Sequence, residues 1–490
     1  MRVEWEECIA FTTGCCQPAG DPNTSHRFEP ESGTMNRRAL MAGMVGGVIT
    51  VGQLASGQSP TSRLIPTRTG LAQLGLERSW FNIVPLASGS ARVSSMNLTG
   101  EYLFAQTTDG LVVCYNAESG QRLWTSNLHL QTLVPAPVSV NDRMAVVAVG
   151  QKIFGLDLKT GTKIWDAKLE DLASGGTSVN SRLAIAALKN GKVQAFNVED
   201  PGVDTCGERH DPNICTKLKP SVGSYLYSWQ TEKAITSKPL MNEKLMAFAS
   251  QDGKVYMASL KDRKIIHRVM TKGPIRGNMG LYGVQQLLVG SDDHKIYSID
   301  LFEPENEATN WVFPTSAPLD HAVVVAGDDA YTVTKDGILY AINAKQGTEK
   351  WQLQIGKAKL LAITPTKIYG VTVDGAMAVV NRADGTVAVT PEQSYHSFGV
   401  DLKNYTARLA NDRNDRIYLA SDDGLLLCLR ELGQVTPTPL RDPKLPKFGT
   451  TPQEIYEMNE PQEAPKKAEI NAAEEDAAPE KADATAPKEN

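Results

Sequence analysis

The sequence has few cysteines, few aromatic residues and no excess of positive charge. Seven cysteines in 490 residues are too few for the dense disulfide framework of a small secreted domain. The formal net charge is −6, and residues 451–490 carry 11 acidic and 4 basic side chains, so the rest of the chain is close to neutral. A nucleic-acid-binding protein needs a basic face, and this composition argues against that class.

Sequence motifs typical of catalytic or nucleotide-binding sites are also scarce. We find no Ser-His-Asp order, no Gly-rich nucleotide loop and no kinase His-Arg-Asp motif. Paired aspartates occur at 292–293, 328–329 and 422–423, each just before a predicted turn, where Asp side chains bond to the backbone. We therefore predict no catalytic residue, no cofactor and no metal ligand, and do not expect an enzyme.

An apolar stretch at 39–52 is too short and too rich in glycine for a good membrane span. It follows Arg37 and Arg38 and precedes the small residues 55–57, which is the layout of a secretory signal peptide beginning at Met35. We predict an over-extended N-terminus at 1–34, a signal peptide or N-terminal anchor at 35–58 and a linker at 59–75. The protein is then exported to the periplasm or cell envelope.

One phrase of sixteen residues recurs along the chain. DGLVVCYNAESGQRLW at 109–124 returns as DGILYAINAKQGTEKW at 336–351. Each copy reads as two short strands joined by a turn, and another short apolar strand precedes it. Equivalent starts lie mostly about 40 residues apart, at Asp109, Gly150, Asn190, Asp252, Asp293, Asp336, Asp374 and Asp423. This spacing predicts an all-β fold over residues 76–434, an eight-bladed β-propeller with four antiparallel strands in each blade.

Tryptophans repeat at the end of the phrase, and His267 and Val389 occupy two places where a Trp is missing. We interpret this set as structural residues that fill the space between blades: Trp80, Trp124, Trp165, Trp229, Trp311 and Trp351. Trp80 precedes the first start, so its strand is predicted to complete the last blade and close the ring. Cys114 and Cys428 fall at equivalent strand positions and are expected to be buried thiols.

Two longer segments interrupt the repeat. The first contains Cys206 and Cys215, a candidate disulfide in an exported protein. With His210 they also form a three-ligand pattern, whereas structural zinc uses four ligands. The second, residues 391–416, is unusually aromatic, and we favour packing against the ring over a recognition role. Residues 435–490 are predicted to be a disordered acidic tail rich in Pro, Ala, Glu and Lys.

The repeated phrase resembles the pyrroloquinoline-quinone-type propeller repeat. Eight such repeats behind an export signal are most similar to the BamB-type outer-membrane assembly propellers. The resemblance implies a non-enzymatic scaffold, a monomeric ring that binds envelope or outer-membrane proteins. It implies no nucleic acid and at most an N-terminal membrane anchor.

The alternative is a ligand- or quinone-binding redox or sensor propeller. Quinone dehydrogenases of this architecture stack the cofactor between a Trp and a pair of adjacent cysteines. Here every Trp after Trp5 lies at a repeat position, and the only adjacent cysteines, Cys15 and Cys16, precede the signal. We therefore expect no quinone site.

Overall fold

Eight four-stranded antiparallel sheets follow one another along the chain, which confirms the eight-bladed propeller. The computed structural model describes residues 65–86, 90–129, 136–199, 220–451 and 453–454. The predicted N-terminus, signal peptide, candidate disulfide loop and most of the acidic tail lie outside these residues. Within them, no helix is long and apolar enough to cross a membrane.

The described part of the chain contains 32 strands, one α-helix and one π-helical segment. Helix α1 is Arg68–Gln73, and the π-helical segment is Gln393–Ser397. Strand β1 is Leu76–Ile83. Blades 1 to 4 consist of β2 (Val93–Thr99), β3 (Tyr102–Thr107), β4 (Leu111–Asn116), β5 (Arg122–Asn127); β6 (Ser139–Val140), β7 (Met144–Val149), β8 (Lys152–Asp157), β9 (Lys163–Lys168); β10 (Ala173–Val179), β11 (Leu183–Leu188), β12 (Lys192–Asn197), β13 (Tyr225–Gln230); and β14 (Leu240–Met241), β15 (Leu245–Ala249), β16 (Lys254–Ser259), β17 (Lys264–Met270). Blades 5 to 8 consist of β18 (Gly280–Tyr282), β19 (Gln286–Ser291), β20 (Lys295–Asp300), β21 (Thr309–Pro314); β22 (Val324–Ala326), β23 (Asp329–Val333), β24 (Ile338–Asn343), β25 (Glu349–Gln354); β26 (Lys359–Ile363), β27 (Lys367–Val371), β28 (Met377–Asn381), β29 (Val387–Val389); and β30 (Ala407–Arg408), β31 (Ile417–Ala420), β32 (Leu425–Glu431) with β1.

Burial differs systematically across each blade. The second strand is apolar and buried along its length, as in β7, because it is covered on both faces. The fourth strand alternates between exposed and buried residues, as in β9, so it forms the outer edge. The first strands of neighbouring blades contact each other, for example β2 with β30 and β10 with β14, so they surround the axis of the ring.

Strand β1 closes the ring, as predicted. It pairs antiparallel with β32 over its whole length and becomes the outer strand of blade 8. Trp80 lies opposite Cys428 in this pairing. Both Cys428 and Cys114 are free and buried, and burial raises the pKa of the Cys114 thiol to about 12.

An aromatic ring of one blade packs over a turn glycine of the next. An added Cβ on Gly120 would lie 2.4 Å from the Trp80 ring, and one on Gly161 would lie 2.4 Å from the Trp124 ring. The indole Nε1 of Trp80 also donates to the Ala117 carbonyl at 3.0 Å. Gly223, Gly347 and Gly385 lie under Trp165, Trp311 and Trp351 in the same way.

Trp229 is buried in the core that blades 3 and 4 share, but its register in the sheet differs from that of the other tryptophans. The residue opposite the small third-strand position Ala195 is Tyr227, whereas Trp229 pairs two residues further on with Val193. Tyr227 donates through its hydroxyl to the Leu260 carbonyl at 3.3 Å, and the Arg263 guanidinium lies 4.9 Å from its ring centroid. Tyrosine and arginine therefore replace the usual tryptophan and glycine at this junction. The long insertion before β13 hides this register from the sequence.

The predicted linker contains a packed element. Helix α1 begins after Thr67, whose side-chain oxygen accepts from the Gly70 amide at 3.1 Å. Leu71 and Leu74 are fully buried and share a core with Val389 of blade 7. Blade 7 has no aromatic residue at this position, so the two leucines contribute the apolar volume there.

The ordered chain also extends past the predicted boundary at 434. Residues 435–451, which we call the C-terminal strap, run over the first hairpin turns of blades 8, 6, 5 and 4. Leu440 and Phe448 are buried in blade cores, and the Gly449 amide donates to the Val284 carbonyl at 2.7 Å. These two apolar side chains explain why a segment of otherwise polar composition is ordered.

A buried ion pair anchors the beginning of the strap. Arg416 Nη1 lies 3.0 Å from Asp415 Oδ1, and both side chains are almost fully buried. The second guanidinium nitrogen donates to the Val435 carbonyl at 2.8 Å, and the Thr438 amide donates to Asp415 at 3.0 Å.

We predict that Gly385→Ala destabilises the ring more than Gly433→Ala. Both glycines have positive φ, +72° and +84°, so alanine costs about 1–2 kcal/mol of backbone strain at each. Only Gly385 lies under an aromatic ring, since Gly433 has no atom within 4 Å of an added Cβ, and crowding there adds about 1–3 kcal/mol. Urea unfolding followed by tryptophan fluorescence measures both variants, and equal midpoints would show that the close approach contributes nothing.

We predict that Asp415→Ala lowers the free energy of unfolding by about 3–5 kcal/mol, because it leaves a buried guanidinium without its counter-charge. Asp412→Ala is the matched control. Its ion pair with Arg413 is about half exposed on both sides, so its loss costs at most about 1 kcal/mol. Similar thermal midpoints for the two variants would contradict the assigned role of Asp415.

Candidate functional site

Most of the candidate residues predicted from the sequence lie in the contacts between blades. Trp80, Trp124, Trp165 and Trp351 are buried between blades, and Trp311 is partly exposed at the same kind of junction. Cys206 and Cys215 lie outside the described residues, so their disulfide stays a prediction. The tryptophans therefore stabilise the ring. A functional site is then expected on the surfaces of the ring.

The paired aspartates bond to nearby side chains, and some of these belong to a neighbouring blade. Asp293 Oδ2 accepts from the Tyr297 hydroxyl at 2.5 Å, and Asp292 forms ion pairs with Arg276 and Lys335 at 2.8 and 3.2 Å. Asp293 also accepts from the Lys272 backbone amide at 3.3 Å, a bond to the backbone of the kind that the sequence predicted. Among the described residues, no group of three or more His, Cys, Asp or Glu side chains is arranged to hold a metal ion.

A lysine near the axis of the ring is held by two blades. Lys238 lies just before β14 of blade 4, and its Nζ donates at 3.0 Å to the carbonyl of Val138, just before β6 of blade 2. Its own backbone amide donates to the Asn278 side chain of blade 5 at 2.9 Å. The side chain keeps some solvent contact but is surrounded by protein. Burial lowers the pKa of Lys238 to about 8, with Arg413 lowering it further and Asp412 opposing.

The outer edge of blade 7 is incomplete. Strand β29 has three residues, and only Val379 and Val380 of β28 pair with it. Thr390 and Pro391 follow, and proline cannot donate to a strand partner. The Met377 amide is satisfied instead by the Ser394 hydroxyl, at 3.2 Å. The chain therefore leaves the sheet early.

A groove of about 620 Å³ occupies this place. We call it the blade-7 groove. Its lining includes the apolar residues Ile355, Ala376, Ala378, Val380 and Val387, with Asp374, Glu392, Tyr395, His396 and Lys403 supplying polar groups. Val387 is 47% exposed and Tyr395 is 45% exposed. An apolar floor with a few polar groups is typical of a site that binds a ligand or an apolar side chain.

Some aromatic residues of the segment after blade 7 pack against the ring, and others are exposed. Tyr405 is fully buried and Phe398 packs against the same core, as the favoured interpretation predicted. Tyr395 and His396 contact each other edge to face, with ring centroids 5.0 Å apart, and both line the blade-7 groove. The sequence showed that the segment was aromatic but not which of its rings stay accessible.

We predict that the stability of the protein rises between pH 8 and 10 through Lys238. Its pKa is lowered from 10.5 to about 8 on folding, so the unfolded state binds more protons in this interval and stability increases with pH. Lys238→Met should remove this contribution, whereas Lys233→Met, an exposed lysine of the same loop, should keep it. Urea midpoints at several pH values test this, and parallel curves for wild type and Lys238→Met would contradict it.

The fold and sequence match known proteins. Residues 68–203 and 251–436 match the family model described as outer membrane protein assembly factor BamB. Over 268 residues the chain is 23% identical to the outer membrane protein assembly factor BamB of Burkholderia pseudomallei (strain K96243), a match covering 51% of this chain and 63% of that relative. The chain thus matches less than two thirds of the length of that relative.

Two solved structures share the fold. The crystal structure of BamB from Moraxella catarrhalis superposes with a TM-score of 0.54 at 16% identity, over 72% of this chain and 97% of that one. The computationally designed Ika8 protein superposes with a TM-score of 0.52 at 12% identity, over 72% and 99%. Because the family model matches well over half of the sequence, the chain belongs to the BamB family of propellers with repeats like those of pyrroloquinoline-quinone proteins.

Proposed function

We propose that this chain is a non-enzymatic scaffold of the cell envelope that binds proteins taking part in outer-membrane protein assembly. The family match carries this proposal, since the matched model and the curated relative are both described as outer membrane protein assembly factors. The predicted export signal at 35–58 agrees with a location in the periplasm or envelope. A ring held by buried inter-blade contacts suits a protein that works by presenting its surface.

The blade-7 groove is the contact site that we propose for such a partner. It combines exposed apolar side chains, Val387 and Tyr395, with nearby charged groups such as Asp374 and Lys403. Binding sites between proteins draw most of their affinity from an apolar or aromatic anchor that fills a pocket, surrounded by polar residues. An apolar side chain of the partner would fill the groove.

The early end of β29 adds a second feature that supports binding. A complete outer strand would occupy this edge, as the six residues of β25 do in blade 6. The first part of β28 lacks a strand partner on this side. Sheet edges are recurrent places of protein contact, and the groove lies beside this shortened edge.

Photo-crosslinking in cells tests the proposal. A photoreactive amino acid replaces Tyr395 in the full chain, and the matched control replaces Ile164, which is 44% exposed on the outer strand β9 of blade 2. We expect the Tyr395 position to capture β-barrel assembly or outer-membrane proteins, identified by mass spectrometry, and the Ile164 position not to capture them. The same proteins at both positions would reject the blade-7 groove, and no envelope protein at either would reject the scaffold.

A substitution measures the energetic role of the groove. Val387→Asp should weaken binding of the captured partner by about 2 kcal/mol, which is roughly thirtyfold in the dissociation constant. Val312→Asp, at a residue 44% exposed on β21 of blade 5, should leave the affinity unchanged. Calorimetric titration of the purified proteins gives both constants, and equal losses would indicate a non-specific effect of charge.

A further inference from the structure

A second groove lies where the C-terminal strap ends. It has a volume of about 710 Å³ and is lined by the first hairpin turns of blades 2, 3 and 4, by residues 445–447 and 450 of the strap, and by Glu454 just beyond it. We call it the turn groove. Its apolar walls are Val140, Val179 and Met241, all partly exposed, and Leu445, which is 41% exposed.

The three turns that form the groove are tied directly to one another and to the strap. Asn141 Nδ2 donates to the Asn180 carbonyl at 2.8 Å, and Asn180 Nδ2 donates to the Asn242 carbonyl at 2.9 Å. Asn242 Nδ2 donates in turn to the strap carbonyl of Phe448, at 2.8 Å. A single asparagine side chain therefore spans the distance from one turn to the next. The strap crosses blades 6, 5 and 4 in this order, so its direction leads next to blades 3 and 2.

A helix begins directly after the strap, at residues 453–454. The Thr451 amide donates to Glu454 Oε2 at 2.8 Å, and the Glu454 amide donates to Thr451 Oγ1 at 3.3 Å. This reciprocal pair is a capping box. The sequence has a proline directly after Thr451, and proline is favoured at the first position of a helix. Lys244 of blade 4 pairs with the Glu454 carboxylate, and these contacts lower the pKa of Glu454 to about 2.

The same four-residue pattern starts a helical segment elsewhere in this chain. Thr390-Pro391-Glu392-Gln393 forms the equivalent reciprocal pair, with the Thr390 amide donating to Gln393 Oε1 at 3.0 Å and the Gln393 amide to Thr390 Oγ1 at 3.2 Å. Residues 391–397 are helical there. A capping box of the kind found at 451–454 thus begins a helical segment elsewhere in this chain.

The sequence after Glu454 has the composition of a short amphipathic helix. Residues 455–460 read IYEMNE, and Pro461 follows, a residue that ends helices. Ile455 and Met458 are three positions apart and therefore share a helix face. Beyond Met458, Ile470 is the only large apolar residue left in the chain.

We propose that residues 452–460 form a helix that docks in the turn groove, with Ile455 and Met458 packed on Val140, Val179 and Met241. A nine-residue helix is about 13 Å long, which suits a groove bordered by three adjacent turns. This interaction joins the C-terminus to the turn face of the ring. It is independent of the blade-7 groove and leaves that groove accessible to a partner.

Cysteine crosslinking in the full chain tests the position of the helix. Val179→Cys with Met458→Cys should form a disulfide within one chain under mild oxidation. The control pair, Ile164→Cys with Met458→Cys, places the first cysteine on the outer strand of the neighbouring blade and should not crosslink. Equal crosslinking of both pairs, or none in the first, would overturn the proposal. A disulfide between two chains would make a second copy the occupant and would also overturn it.

Hydrogen exchange provides a second measurement that requires no crosslink. Ile455→Asp with Met458→Asp should remove protection from peptides covering 140–144 and 179–183. Ile470→Asp, which adds the same charge to the tail outside the proposed helix, should retain it. Peptides covering the first turn of blade 7, residues 363–367, report that the ring is folded in each variant. Protection unchanged by the double substitution would contradict docking of this helix.

Discussion

The ring depends on one contact, the packing of an aromatic side chain from the outer strand of one blade over the turn of the next. A blade is a small sheet that cannot bury both of its faces alone, so its stability comes from its neighbours. The glycine under each ring has positive φ and no side chain, and both properties are needed where Gly161 meets Trp124. The small residue across the strand serves the same purpose, since a Cβ on Gly155 would lie 2.0 Å from the Trp165 indole.

Two of the junctions that depart from this pattern show which property of the contact is retained. Tyr227 and Arg263 replace tryptophan and glycine between blades 3 and 4, and the tyrosine hydroxyl takes over the hydrogen bond to the turn carbonyl. At blade 7, Val389 is the equivalent residue, and Leu71 of α1 and Leu74, which directly follows that helix, share its core. In both cases apolar contact between blades is retained while the residues that provide it change.

The same departures determine where the ring has accessible surfaces. Blade 7 combines the missing aromatic residue with a short outer strand, and the blade-7 groove lies beside that strand. On the turn face, the C-terminal strap covers blades 6 and 5 but ends at blade 4, where the turn groove begins. Irregularity in an otherwise periodic fold thus generates the concave sites that a scaffold needs, and we place the proposed partner and the C-terminal helix in them.

The sequence by itself determined the fold class, the number of blades and the closure through Trp80, because each depends on a local pattern repeated at regular spacing. It predicted the buried thiols Cys114 and Cys428 for the same reason. Only the tertiary structure decided the register of Tyr227 and Trp229, since a long insertion separates them from the start of their repeat and strand pairing alone sets the alignment. It also decided the packing of α1 and the strap, whose few apolar residues are ordered by surfaces that form from distant blades. The two grooves belong to this second class, because each is lined by residues that become neighbours only when the blades assemble.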